Sequence, residues 1–246
     1  IDAERDHRPT PFGDNYPGGS FGNLPLIKVN GLNVNSIDYV ATGHWSSSAD
    51  ANNLNWPIAE HTNTMLLYSM TDLEGLPTGV NTFDLSDIQL PKSIADEISV
   101  TVLVYENVSI STPFQGITWG GNKRINSTNL FTLNGTIVPT PVGRAVNDVL
   151  YLSLFGASYE ATTANSVAAS SGWTLDRWEF MANSSGTSLS DAGFSEPDGI
   201  STRVYSRTYS TATTPSITYT RSSSTPSIQG AMGFIFGLVP LAKIGR

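Results

Sequence analysis

His7, His44 and His61 are the only imidazoles in 246 residues, and the chain has no cysteine. Disulfides, thiolate metal sites and cysteine nucleophiles are excluded by that count. His44 and His61 flank a polar stretch carrying Asp50 and Glu60, so a two-histidine, one-carboxylate metal set is geometrically open to the chain. Solvent-facing histidines, or histidines stacked on Trp45 or Trp56, fit the same spacing, and no metal is expected. Hydrolysis of a glycoside needs two carboxylates facing each other across a cleft, and the acidic pairs on offer are Asp84 with Asp87, Asp96 with Glu97, and Glu196 with Asp198. All three stand in turn-like sequence, where Asp and Glu serve turn formation and solvation. No phosphate-cradling Gly-x-x-x-x-Gly-Lys-Ser/Thr or Gly-x-Gly-x-x-Gly run occurs, so no nucleotide cofactor is expected. No catalytic residue is assigned, and the chain reads as non-enzymatic.

Binding chemistry is better represented. Trp45, Trp56, Trp119, Trp173 and Trp178 could form a sugar-stacking platform, because an aromatic face takes the apolar face of a pyranose while Asn and Asp take its hydroxyls. Trp45 and Trp56 are the candidate glycan-stacking pair. Trp173 and Trp178 stand five residues apart in a strand-like run and so on opposite faces, which assigns at least one of them to the core.

The elements that must position these groups are strands. Short runs rich in β-branched and aromatic residues are separated by clusters of Gly, Pro, Asn and Ser, and few stretches have a helical period. Alternation at 98–104 predicts a central strand buried on both sides. The runs 65–70 and 149–155 are core candidates, the latter with Leu150, Leu152 and Leu154 in one apolar row. Arg203, Tyr205, Arg207 and Tyr209 alternate with Val204, Ser206 and Thr208, and Thr213-Thr214-Pro215 then turns the chain into Ile217, Tyr219 and Arg221, which predicts a hairpin with one solvated or partner-facing side. The last strand, 228–239, is apolar on both faces and interrupted by Gly230, Gly233 and Gly237, as close packing inside a sheet requires.

About ten such segments without alternating helices predict an all-β fold, an antiparallel β-sandwich of jelly-roll or immunoglobulin-like kind. Residues 1–25, with Pro9, Pro11, Pro17 and Gly18-Gly19 and no apolar period, read as an extended N-terminal arm, and 26–246 as the sandwich domain. A weak echo between 63–68 and 147–152 suggests one sandwich of two similar halves, about 26–115 and 116–246, with two tandem small domains as the alternative.

Composition narrows the partners. Charged residues make up 14% of the chain, whereas Ser (30), Thr (26) and Asn (18) give a hydroxyl- and amide-rich surface. A net charge of −8 argues against a nucleic-acid partner, since that affinity comes from clustered Lys and Arg. The longest nearly apolar run, 231–242, is shorter than the roughly 20 residues of a membrane helix, so no membrane partner is expected. The acidic excess falls in residues 1–120, and complementary halves could steer packing between copies, unless both halves interleave in space.

Two passages carry a resemblance. Val102-Leu103-Val104-Tyr105-Glu106-Asn107-Val108-Ser109-Ile110-Ser111-Thr112-Pro113-Phe114 resembles a passage of β-sandwich structural proteins common among tailed-phage virions: an apolar strand, Tyr-x-x-Val, a turn and Thr-Pro-Phe. The order of Asn147-Asp148-Val149-Leu150, Gly172-Trp173-Thr174-Leu175, the 203–209 strand, Pro215-Ser216-Ile217-Thr218 and Gly230-Ala231-Met232-Gly233-Phe234 is similar to that family's second half. The two span about 98–240, and secreted bacterial adhesive domains share such patterns. The resemblance implies a virion structural role on the capsid surface, as a decoration or cement protein of the head or as a tail or fibre domain. Its partners would be the major capsid protein or other virion subunits and further copies of itself. The arm would then anchor to the shell through Phe12, Tyr16 and Phe21, and the alternative role is a receptor-binding domain recognising host surface glycans.

Overall fold

Turn-forming residues cut the chain into short extended runs, and in the computed structural model these runs pair into antiparallel sheets. The structure describes residues 2–7, 28–33, 37–48, 60–70, 79–84, 95–109, 111–125, 127–159, 167–182, 199–224 and 228–243. Its strands are β1 (Asp2–His7), β2 (Lys28–Val29), β3 (Leu32–Asn33), β4 (Ile37–Ser48), β5 (Glu60–Met70), β6 (Phe83–Asp84), β7 (Ala95–Ser99), β8 (Phe114–Ile125), β9 (Asn129–Asn134), β10 (Leu150–Tyr159), β11 (Val167–Ala169), β12 (Thr174–Ala182), β13 (Gly199–Arg207), β14 (Ser216–Arg221) and β15 (Ile228–Leu238). Helical structure among the described residues is one 3-10 turn at Val146–Asp148. None of it is a helix long and apolar enough to cross a membrane.

Among the described residues four sheets result, with strand orders β12-β13-β10-β15-β8, β11-β14-β9, β4-β5-β1-β7 and β3-β2-β6. The smallest is closed by Asn30-Gly31, both at positive φ (54° and 77°), the backbone that a two-residue hairpin with the native twist requires.

The five-stranded sheet is the core of the molecule and is covered on both faces. Cross-strand partners share a face, so Phe155, Ala157, Tyr205, Ala231 and Ile235 project together and meet Leu130, Leu133, Ile217 and Tyr219 of the β11-β14-β9 sheet. Phe155 stacks on Phe131 (5.9 Å, 19°) and lies 4.7 Å from the Tyr219 ring. On the other face Leu152, Met232, Phe234, Phe236 and Leu238 form a second cluster with Leu150, Leu154, Phe114 and Ile117, and β4 and β5 lie against this side. β15, between β10 and β8, is therefore buried on both faces, as its sequence requires. A Cβ on Gly233 would stand 2.6 Å from the Leu154 carbonyl oxygen, and one on Gly237 2.6 Å from Val138 Cγ2, so glycine here lets two layers approach.

Three expectations are corrected. The central strand at 98–104 is absent: β7 ends at Ser99 on the edge of its sheet, and residues 100–105 continue without a ladder. They form a strap instead, whose Tyr105 and Val108 seal the second cluster while Val104 is 71% exposed. Ser109 N–H to Val239 O (2.8 Å) and Leu241 N–H to Asn107 O (2.7 Å) pin the strap's end. Next, the hairpin from 203–209 to 217–221 does not form. β13 pairs with β10 and β12, β14 with β9 and β11, and the two face each other across the core with Tyr205 and Tyr219 rings 5.8 Å apart. Burying both tyrosines in one cluster requires facing sheets, so 208–215 switches the chain between layers. Finally, residues 2–7 of the expected arm are a strand paired on both edges, by β5 and β7.

Candidate partner surface at the rim of the five-stranded sheet

β12 has β13 on one side and, among the described residues, no strand on the other. Such an edge offers unpaired N–H and C=O groups, and its ladder is blunted here by a bulge. The register slips between Leu175 and Arg177, leaving Asp176 without a level partner on β13. Beyond the bulge Trp178 stands level with Arg203. The indole is 52% exposed, its Nε1–H donates to Ser201 Oγ (3.3 Å), and the Arg203 guanidinium carbon lies 4.8 Å from the ring centroid. Arg203 itself is 3% exposed, so a buried cation backs the inner face of a half-exposed indole. Burial pushes the Tyr205 hydroxyl above the ordinary tyrosine range, with Arg203 opposing, and that hydroxyl donates to the Val167 carbonyl (3.0 Å). Arg177 and Glu179 form an ion pair beside the bulge, with Arg177 Nε–H donating to Glu179 Oε1 (2.8 Å). An exposed pair of this kind contributes about 0–1 kcal/mol and works more as a charged gatekeeper than as a brace.

The strap borders the same rim. Thr202 Oγ1 donates to Ser99 Oγ (2.9 Å) where the strap leaves β7. The Tyr105 hydroxyl is pushed up by burial and, second, by the negative charge of Asp176 at the bulge. Leu175 and Trp178, level with Tyr205 and Arg203, and Val102 and Val104, on the strap that covers the opposite face, all leave much of their apolar surface in water. An exposed tryptophan backed by a buried arginine, with Leu175 exposed on the same face of β12, has the chemistry of an interaction hot spot.

A hollow of about 190 Å³ lies on the strap's other side, lined by Tyr105, Glu106, Asn107, Arg144, Asp148 and Leu150 among others. Arg144 and Asp148 of this lining hold the chain: Arg144 pairs with Asp148 (3.9 Å) and donates from Nε to Leu241 O (2.5 Å), and Asp148 accepts from Ala145 N–H (3.1 Å). The space is below that of ordinary small-molecule sites.

Trp173 is the core member of its pair, packed on both neighbouring clusters with Nε1–H donating to Ser216 O (2.9 Å), and Trp178 is the exposed one. Trp119 is half-exposed on the opposite edge strand, β8. Trp45 falls in β4 level with Asn63, and its side chain, like Trp56, Phe12, Tyr16 and Phe21, lies outside the described residues. So do Asp50, Asp87, Glu196 and Asp198. His44 is level with Thr64 and His61 with Ser47, an odd offset of three rungs that sets the two positions on opposite faces of the sheet. Among the described residues no group of three or more His, Asp or Glu could hold a metal ion. Sequence reasoning missed the burial of Arg203, which it set in a hairpin with one solvated or partner-facing side; the signal was Trp178, a large aromatic partner for a cation. It also passed over Gly18-Gly19-Ser20-Phe21-Gly22, which has Gly-x-Ser-x-Gly spacing, follows a proline and lies outside the described residues.

No family model, no curated protein and no solved structure matches the chain.

Proposed function

We propose that the protein is a non-enzymatic structural component of a tailed-phage virion, a decoration or cement protein that sits on the capsid surface, contacts the major capsid protein and stabilises the head. The observation that carries this reading is the rim of β12, where Val102, Val104, Leu175 and Trp178 stay exposed on a body whose central sheet is covered on both faces. A sheet buried on both faces is stiff, and a stiff body holds such a patch in one shape at low entropic cost on binding. In this reading the stacked sheets are a jelly-roll-like sandwich, and Phe12, Tyr16 and Phe21 of the 1–25 segment supply a second contact. Many copies on a symmetric shell convert a modest interface into avidity.

The test is the copy number of the chain relative to the major capsid protein in purified particles of the source phage, by quantitative mass spectrometry. A ratio set by capsid symmetry is expected; a chain missing from the particles overturns the reading. Trp178 supports a second reading, a tail-fibre or receptor-binding domain, because its half-exposed face is backed by Arg203 and flanked by the Ser201 hydroxyl as a sugar-stacking site would be. A few copies per particle, with glycan binding that Trp178→Ala abolishes while the fold is kept, would favour it.

A further inference from the structure

β1 fills an interior slot. It runs antiparallel to β5, from Asp2 level with Met65 to His7 level with Glu60, and antiparallel to β7, from Asp2 level with Ser99 to Arg5 level with Ala95. Without it the four-stranded sheet would fall into the β4-β5 pair and a separate β7 of five residues, each with an open row of backbone donors and acceptors. The slot therefore needs a strand. The sequence that fills it is Asp-Ala-Glu-Arg-Asp-His, with no β-branched or aromatic residue, so backbone pairing rather than strand preference must hold it. On the β5 edge two of the six rungs set a carboxylate level with an imidazole, Asp6 with His61 and His7 with Glu60, and none sets like charges level. On the β7 edge Glu4 is level with Glu97, two like charges at one rung, and the register slips just beyond. A strand matched on one edge and mismatched on the other opens at lower cost than the whole fold.

Reach is not limiting. Residues 8–27 separate β1 from β2 and include Pro9, Pro11, Pro17, Pro25 and the Gly18-Gly19 pair. Twenty residues span at most about 70 Å. A folded body of this length has a radius of gyration of about 18 Å. The span therefore exceeds the width of one body and reaches the same slot on a neighbour.

We propose that β1 is an exchangeable strand: the slot between β5 and β7 of one copy takes β1 of a second copy of this chain. The ladder formed is the same whichever copy donates it, so exchange conserves the backbone hydrogen bonds and is decided by reach and local concentration. The inference rests on the slot alone and holds for any role of the protein; on a capsid surface it would tie neighbouring copies together.

Because the chain has no cysteine, an introduced pair reports the donor without background. Ala3 is level with Thr64 and Arg5 with Thr62. Full-length chains carrying Ala3→Cys alone and Thr64→Cys alone are mixed, incubated and oxidised, then resolved under denaturing, non-reducing conditions. The expected product is a disulfide-linked dimer of two different 26.3 kDa chains, more abundant than in either variant alone. In the Ala3→Cys/Thr64→Cys double variant the ratio of interchain to intrachain disulfide rises in proportion to protein concentration. Arg5→Cys with Thr62→Cys repeats both measurements at a second rung, and circular dichroism confirms the β fold of each variant. Disulfides confined to single chains at every concentration, with mixed single variants remaining monomeric, overturn exchange; failure to form either link at both rungs overturns the occupancy of the slot itself.

Discussion

In the five-stranded sheet the two inner strands β10 and β15 read LYLSLFGASY and IQGAMGFIFGL; in the four-stranded sheet the inner pair β5 and β1 read EHTNTMLLYSM and DAERDH. Both are antiparallel, yet the first pair is apolar on both faces and the second contains a strand with a single apolar residue. β15 gains its place from burial, at about 1.5–3 kcal/mol for each Leu, Ile, Phe or Met side chain removed from water. β1 gains its place from hydrogen bonds to two neighbours, which contribute only about 0.5–1.5 kcal/mol each. The first sheet is accordingly a scaffold and β1 an adaptable attachment to the second, and the expected effects of substitution should divide along the same line.

The largest effect belongs to Phe155. Fully buried between Phe131 and Tyr219, it should cost about 3–5 kcal/mol when replaced by Ala, seen as a lowered urea midpoint with unchanged slope. A cost below about 1 kcal/mol would remove the distinction between scaffold and attachment. Gly233→Ala comes next, at about 1–3 kcal/mol, because the added methyl meets the Leu154 carbonyl at 2.6 Å and backbone cannot swing aside as a side chain can.

A buried hydroxyl network ties the scaffold's two layers. Ser153 Oγ donates to Phe234 O (2.8 Å) and shares a hydrogen bond of 2.5 Å with the Tyr219 hydroxyl. Ser153→Ala should cost about 1–3 kcal/mol, since it strands the buried phenol, whereas Tyr219→Phe removes the phenol and its need together and should cost less. Burial pushes the Tyr219 hydroxyl far above its ordinary value of 10.0. Its sign follows from linkage: the unfolded chain releases this proton near pH 10 while the folded one retains it, so the contribution is complete below pH 10 and is lost as pH rises above it. Urea midpoints should stay level with respect to this group up to about pH 10 and then fall, and Tyr219→Phe should make the alkaline fall shallower.

The same division explains what was legible in the sequence. The Leu150, Leu152, Leu154 row and the glycine-punctuated last strand disclosed themselves because burial on both faces leaves a mark at every residue. Pairing left no such mark: alternation in 203–209 and 217–221 reveals which residues share a face but not which strand lies beside them, so a face-to-face pair of strands reads like a hairpin. Arg203 carries the outward signs of a solvated residue, and its cross-strand partner Trp178 and the neighbouring Tyr205 hydroxyl help account for its burial. The rim was missed for the converse reason, since Val102 and Val104 have the residue type of a core and the exposure of a surface.

Those two valines give the smallest expected effect and the sharpest contrast with Phe155. Were 98–104 a central strand, Val102→Thr and Val104→Thr would each bury an extra hydroxyl and cost about 1–3 kcal/mol. On a strap anchored instead by Tyr105 and Val108 beneath and by the Ser109 and Leu241 backbone bonds at its end, both positions are open to water. Each substitution should then shift stability by no more than about 0.5 kcal/mol in urea. If the β12 rim is the docking face, the double variant should weaken particle binding while leaving the unfolding midpoint in place. A large loss of stability would instead place the strap inside the scaffold, because only a buried valine distinguishes a methyl from a hydroxyl so strongly.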